Sequence, residues 1–388
     1  MVDSEAVRVG DLILQLKFAV LGAGNGGQAF AAELWAKGFE TNLFELPKFE
    51  QAILPIRENH GVKVTSMTEA SKAGKGTHFV KMQGKVTSDI EEAINGVDVI
   101  MIVVPAFAHL TFARHCAKHL SDGQIIVLNP GSTGGALEFY KALKDLKNTK
   151  RILVAETTSL LFACRTMGPA WIQINSVKKQ MPIAALPALD TVNVVKSLKQ
   201  AFSEFVPAKN VLETSINRPG MIFHPVSTIL NVVKIEQMGS YNCNGYDATP
   251  SVARAMEAAD DERLGVAKAL GLEEVSVKEW LQRFYGVKAE NLYEALQSCP
   301  AYKQLPTSPN LQFRFITEDV PYMMVPVSSF GDLLGVRTPT INAFIQISSV
   351  INRTDYSREG RTVEKLGLAS MKADEIMKYV TEGADAQE

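Results

Sequence analysis

His224 lies in the run "PGMIFHPVSTILN" (219–231), with Phe223 before it and Pro225 after it. An imidazole titrates near ~6.5 when unperturbed, so it suits proton donation to a carbonyl or imine during reduction. A histidine in apolar company can equally be a core residue hydrogen-bonded to a carbonyl, and the pattern leaves both readings open. Arg314 and Asp319 stand in "RFITEDVPYMMVPVSSFG" (314–331), again among apolar residues, where an unpaired charge is costly. A guanidinium fork matches a substrate carboxylate. A carboxylate behind a histidine fixes its tautomer and stabilises its protonated form. The alternatives for this pair are an Arg314–Asp319 salt bridge, or Asp319 capping a helix that starts near Pro321.

Hydride chemistry also needs a nucleotide site. "AVLGAGNGGQAFAAEL" sets Gly22, Gly24, Asn25, Gly26 and Gly27 between a strand and a helix, with the Gly-x-Gly-x-x-Gly spacing. The first glycine permits the tight turn, the second lets backbone approach a pyrophosphate, and the third lets helix and strand pack closely. The pyrophosphate then meets free N–H groups at a helix N-terminus. Glu45 closes the next strand, where a carboxylate accepts hydrogen bonds from the adenosine ribose. It would repel a 2′-phosphate and so favours NAD(H), while Lys48 nearby leaves NADP(H) open. Pro105, in "VVPAFAH" (103–109), either borders the cofactor at the carboxyl edge of the sheet or simply stops a strand. His115 and His119 have i, i+4 spacing near His109 and Cys116, but no HExxH-like carboxylate accompanies them. A solvated helix face explains them, and no metal is assigned.

These residues need elements to position them. "FAVLG" (18–22), "TNLFE" (41–45), "VDVIMIVVP" (97–105), "QIIVLN" (124–129) and "RILVAE" (151–156) read as buried strands. Amphipathic stretches such as "GQAFAAELWAKG" (27–38) and "TFARHCAKHL" (111–120) separate them. Strand and helix in alternation predict a Rossmann-type, doubly wound parallel sheet. After about residue 210 the spacing becomes helical, in "SVARAMEAADDERLGVAKALGL", "SVKEWLQRFYG", "AENLYEALQS" and "TPTINAFIQISSVI". The fold expected is therefore α/β: a dinucleotide-binding domain over 1–209 and a mostly α-helical substrate domain over 210–388.

Composition bounds the function. The chain has 388 residues, 46% hydrophobic and 21% charged, which suits two globular domains. A formal net charge of −2 gives no electrostatic reason to bind nucleic acid or an anionic membrane. Cys116, Cys164, Cys243 and Cys299 are scattered without CxxC pairing and read as reduced thiols of a cytoplasmic protein. The first residues lack the basic, apolar and small-residue order of a signal peptide, and no apolar run is long enough to span a bilayer.

The segments above, with "IVVPA" (102–106), "NPGSTGGALEF" (129–139), "ETTSLLFACR" (156–165) and "EGRTVEKLGL" (359–368), resemble the opine dehydrogenases. These include octopine and nopaline dehydrogenases and, nearest in pattern, the bacterial N-(carboxyethyl)norvaline dehydrogenases. The glycine loop is shared with many dehydrogenases, whereas the order of the other segments is specific. The resemblance implies reductive condensation of an L-amino acid with a 2-keto acid, usually pyruvate, through an imine. It places the catalytic histidine on His224, its acidic partner on Asp319 and the carboxylate-binding arginine on Arg314. Cys164 falls in a segment near the pocket, as lining or as packing. A homodimer and a preference for short neutral L-amino acids are further implications. "MGSYNCNG" (238–245) and Tyr302 are candidates for the amine pocket. The rival reading is a keto-acid reductase without an amine substrate, for which Lys234 would be the candidate catalytic lysine. A nucleotide-sensing module without turnover is a third.

Overall fold

The structure is a computed structural model describing residues 15–239, 248–299 and 310–383. Twelve strands are described: β1 (Phe18–Leu21), β2 (Thr41–Phe44), β3 (Gly61–Ser66), β4 (Gly76–Lys81), β5 (Val86–Thr87), β6 (Val99–Ile102), β7 (Ile125–Leu128), β8 (Leu153–Thr157), β9 (Phe162–Gly168), β10 (Trp171–Val177), β11 (Met181–Leu186) and β12 (Phe205–Pro207). Eight form one sheet in the order β12-β11-β8-β7-β6-β1-β2-β5. From β8 to β5 every pairing is parallel. The five strands read from sequence are all in this part.

β1 shows why such strands are apolar throughout. Phe18 and Val20 face one core, Ala19 and Leu21 the other, and all four are fully buried. A strand sandwiched on both faces has no polar face to show.

Two features depart from a purely parallel sheet. β11 pairs antiparallel with β8, and β12 follows β11 in parallel, so this edge runs opposite to the rest. A second sheet of four strands, β4-β3-β10-β9, covers the outer side of helix α1 (Asn25–Ala36). The inward positions of β9 after Phe162 are only half-buried, β4 is exposed at five of its six positions, and the register shifts between β9 and β10. That irregularity weakens the period-two signal from which strands are read.

After Pro207 the described elements are helical. α2 (Gly220–Leu230) carries His224 and contains Pro225, which has no N–H to offer its own helix. Its buried face packs on α3 (Pro250–Ala269) and α5 (Pro339–Asn352), with α4 (Val325–Leu334) completing the cluster. Thr249 caps α3 by accepting from Val252 N, and Pro250 occupies its first position, where no N–H is needed. The apolar core of these helices is continuous with one face of the large sheet. The site lies along that junction. No helix among the described residues is long and apolar enough to cross a membrane.

Candidate active site

The nucleotide loop is built as the glycines require. Gly22 has φ +99, a left-handed conformation that glycine adopts without strain. A Cβ on Gly27 would overlap the Gly22 carbonyl oxygen, so α1 packs against β1 only because Gly27 has none. A Cβ on Gly24 would meet nothing within 4 Å, so open space lies over that backbone. No side chain caps α1 and its first turn holds no acidic residue, leaving its N–H groups to an anion. These residues fit a dinucleotide pyrophosphate.

Glu45, at the end of β2, accepts from Ala23 N at 2.7 Å and from Leu46 N at 2.8 Å. It holds the loop's shape and retains lone pairs for a ribose. Lys48 is exposed with its ammonium over the Phe49 ring.

The second sheet supports the same loop. Asn25 Oδ1 accepts from Thr166 N at 2.8 Å, and the Cys164 thiol donates to the Asn25 carbonyl at 3.3 Å. Cys164 therefore forms the wall behind the glycine loop. Burial pushes its thiol up to about 12, so it is protonated at neutral pH. A cavity of about 430 Å³ opens beside the loop, lined by Gly24, Asn25, Gln28, Gln51, Pro55 and Thr166 among others.

Across the junction, His224 Nδ1 lies 2.6 Å from Asp319 Oδ2, a contact between residues 95 positions apart. A carboxylate only accepts, so Nδ1 carries the proton that it donates to Asp319. Nε2 has no protein partner among the described residues and is the nitrogen free to exchange a proton. The imidazole stacks on Phe315 with ring centroids 4.0 Å apart, and Gly220 lies against its other edge. Asp319 is 2% exposed on its side chain and His224 23%, so the pair is anchored at one end and open at the other.

Both bland readings of Asp319 fail on geometry. It stands at the N-cap position of a π-helical turn, Val320–Met324, but its side chain makes no capping bond. Arg314 pairs instead with Glu318, Nε to Oε2 at 3.6 Å, and its side chain is 58% exposed. A π turn widens the backbone and is a frequent device at functional sites. Here it directs Asp319 inward to the histidine.

Pro105 is exposed, and the residue after it is held by the helical part: Ala106 N donates to Glu318 Oε1 at 3.0 Å. Burial raises the Glu318 carboxyl above its usual range, and Arg314 counteracts this. Glu318 thus clamps the loop after β6 to the segment that carries Asp319.

Three other groups were not legible beforehand. Arg361 is fully buried; it donates to Glu138 Oε2 at 2.6 Å and to the Thr133 carbonyl at 2.7 Å, fastening the loop after β7. Arg218 is buried and donates to Ser132 Oγ at 3.3 Å. Lys178 Nζ donates to Ser159 Oγ at 2.7 Å, and burial, then Arg218, push it down to about 8. Arg361 falls in one of the segments that carry the family resemblance, but nothing in the sequence marks any of the three as buried, and only their tertiary surroundings distinguish them.

The remaining candidates lie elsewhere. His115 is exposed, while His119 Nδ1 faces Glu91 at 3.6 Å. His109 is buried, and burial with the nearby Arg361 keeps it neutral. Lys234 is exposed on the helix Val232–Met238. Residues 240–245, with Cys243, and Tyr302 lie outside the described residues.

Comparison with known proteins agrees with this arrangement. Residues 207–352 match the alpha-helical domain of the NAD/NADP octopine/nopaline dehydrogenases, and residues 17–153 match the N-terminus of the NAD-dependent glycerol-3-phosphate dehydrogenases. An opine dehydrogenase of Arthrobacter sp. (strain 1C) is 37% identical over 94% of this chain and 98% of its own length. The chain belongs to the opine dehydrogenase family. It is an NAD(P)-dependent oxidoreductase acting on CH–NH donors, joining an amino acid reductively to a keto acid. The octopine dehydrogenase of Pecten maximus is 23% identical over 91% of this chain and 94% of its own. A solved octopine dehydrogenase with NADH and L-arginine shares the fold, with a TM-score of 0.76 at 22% identity over 94% of this chain and 98% of that one.

Proposed function

We propose that the chain condenses an L-amino acid with pyruvate and reduces the resulting imine to a secondary amine dicarboxylate, and also runs the reverse oxidation. The observation that carries this is the His224–Asp319 pair, in which Nδ1 is bound to the buried carboxylate and Nε2 has no protein partner among the described residues. Arg314 holds the keto-acid carboxylate through its fork and orients C2. The amine attacks C2, and the protonated His224 ring gives its Nε2 proton to the departing hydroxyl, which leaves as water from the protonated imine. Asp319 orients the imidazole and stabilises its protonated form. A nicotinamide held by the glycine loop would supply the hydride, and the N–H of the protonated imine becomes that of the product amine. Cys164 lines the pocket from the wall behind the glycine loop.

NAD(H) is the preferred cofactor, held by Gly22, Gly24, Asn25, Gly26 and Gly27, with Glu45 on the ribose and Pro105 beside the nicotinamide end. The domain division falls at 209/210, and the protein is a cytoplasmic homodimer taking short neutral L-amino acids. NADH oxidation with pyruvate alone, then with pyruvate plus each of a panel of L-amino acids, tests the reaction. Oxidation that requires the amino acid, with a secondary amine in the mass spectrum, is the expected result. Equal oxidation with pyruvate alone would make the protein a simple keto-acid reductase.

Cofactor preference has its own test. Glu45→Ala removes the ribose acceptor and also two hydrogen bonds that shape the loop. NADH affinity should fall by roughly tenfold or more, since hydrogen bonds to a charged group contribute about 1.5–3 kcal/mol. The NADH-to-NADPH ratio of kcat/KM should fall toward one, and an unaltered ratio would mean that the ribose is read elsewhere.

A further inference from the structure

Three buried arginines can be compared in this structure, and one lacks an ionic partner. Arg263 meets Asp260 at 2.6 Å and donates also to the Ile216 and Val275 carbonyls. Arg361 meets Glu138 at 2.6 Å. Arg218 has a single side-chain hydrogen bond, to Ser132 Oγ at 3.3 Å, and among the described residues no carboxylate oxygen lies within 4.0 Å of its guanidinium. A guanidinium presents five N–H donors, and burying one largely unmatched is costly.

The acidic groups around it are already committed. Asp319 Oδ2 takes His224, and Glu318 Oε1 takes Ala106 N. Glu156 accepts from Ala136 N, Thr214 and Ser215 at 2.7–2.8 Å. Lys178 and Arg314 add positive charge on the same side, close enough to Arg218 to interact with it. Ser132, the one partner, has φ +58, a left-handed conformation that is uncommon for a residue with a side chain. Its carbonyl also accepts from Ser215 Oγ at 3.4 Å. Arg218 lies just before the helix that carries His224, near enough to Asp319 to interact with it.

We infer that Arg218, with Ser132, is the subsite for the α-carboxylate of the amino-acid half of the substrate, Arg314 taking the keto-acid half. This rests on the opine reading above. The product carries one carboxylate on each side of its secondary amine, and a site centred on His224 needs a cation for each. Arg314 is open to solvent and meets the incoming keto acid. Arg218 is recessed, and the N–H groups it does not spend on Ser132 are left for an incoming carboxylate.

The probe is alanopine, the secondary amine dicarboxylate formed from alanine and pyruvate, compared by calorimetry with N-ethylalanine, which lacks one carboxylate. Both are titrated into the full chain with NAD⁺ bound. The wild-type protein should hold alanopine roughly 10–100-fold more tightly, the margin of a charge-assisted pair. Arg218→Met should erase that margin while N-ethylalanine affinity stays within about twofold. Arg218→Lys should retain part of it. A margin intact in Arg218→Met would overturn the subsite. If Arg218→Met no longer binds NAD⁺, Ser132→Ala and Arg218→Lys are compared instead, and an undiminished margin in both has the same meaning. Failure of the wild-type complex to bind either compound would instead overturn the opine reading, and the subsite with it.

Discussion

His224→Asn should lower turnover by roughly 10²–10⁴-fold, the range for losing a positioned acid–base group, with NADH affinity held within about twofold. The reason lies in the two ends of the imidazole. Nδ1 is bound to Asp319 at 2.6 Å, which fixes the tautomer and leaves Nε2 to exchange the proton. Asparagine can occupy much of the same space against Phe315 and can still bond Asp319 through its amide, but it has no group that titrates near neutrality. The glycine loop is built from α1, β1 and β2 and takes no support from His224, so NADH binding should be spared. Stopped-flow NADH oxidation with pyruvate and the active amino acid reads turnover, and NADH fluorescence reads binding. An unchanged rate would remove His224 from the mechanism. A loss of NADH affinity as large as the loss in rate would make it a structural residue of the junction.

Gly27→Ala and Gly24→Ala should separate packing from ligand approach. The Gly27 Cβ would overlap the Gly22 carbonyl, a backbone atom that cannot rotate away, so α1 must shift from β1. Overpacking of this kind costs about 3 kcal/mol, so Gly27→Ala should lower Tm by several degrees and weaken NADH by about 100-fold or more. Gly24→Ala is the contrast. Nothing in the protein lies within 4 Å of the added methyl, so the fold should keep its Tm. NADH affinity should still fall by roughly tenfold or more, because the methyl enters the space through which the pyrophosphate approaches. Tm by scanning fluorimetry and NADH affinity by titration distinguish the two variants. Normal NADH affinity in Gly24→Ala would move the pyrophosphate away from this loop.

Much of the site was readable before any tertiary contact was known. The glycine loop is a local device: strand, turn and helix lie within twenty residues, and the glycine spacing states the backbone geometry directly. The five parallel strands were equally plain, because burial on both faces leaves continuous Val/Ile/Leu runs. Arg314 and Asp319 drew notice because charge in an apolar run needs a partner, but their types did not say which. The alternative Arg314–Asp319 bridge does not form; Glu318, which carried no signal of its own, takes Arg314, and Asp319 pairs with His224. The second sheet escaped notice because the inward positions of β9 after Phe162 are only half-buried, β4 is exposed at five of its six positions and the register shifts between β9 and β10, so no clean apolar alternation marks it.

By itself the sequence determined the nucleotide-binding loop, five strands of the parallel sheet and the helical character of the second half, since each follows from residue types spaced within one or two elements. Its longer motifs also carried the family. The tertiary structure alone decided which candidates meet. It joined His224 to Asp319 across 95 positions, left Arg218 buried beside them without a counter-ion, and set Glu318 and Arg361 as clamps between sheet and helices. The physical reason is that a side chain's proton affinity and pairing depend on the dielectric and charges around it. Those surroundings are assembled by contacts between segments far apart along the chain.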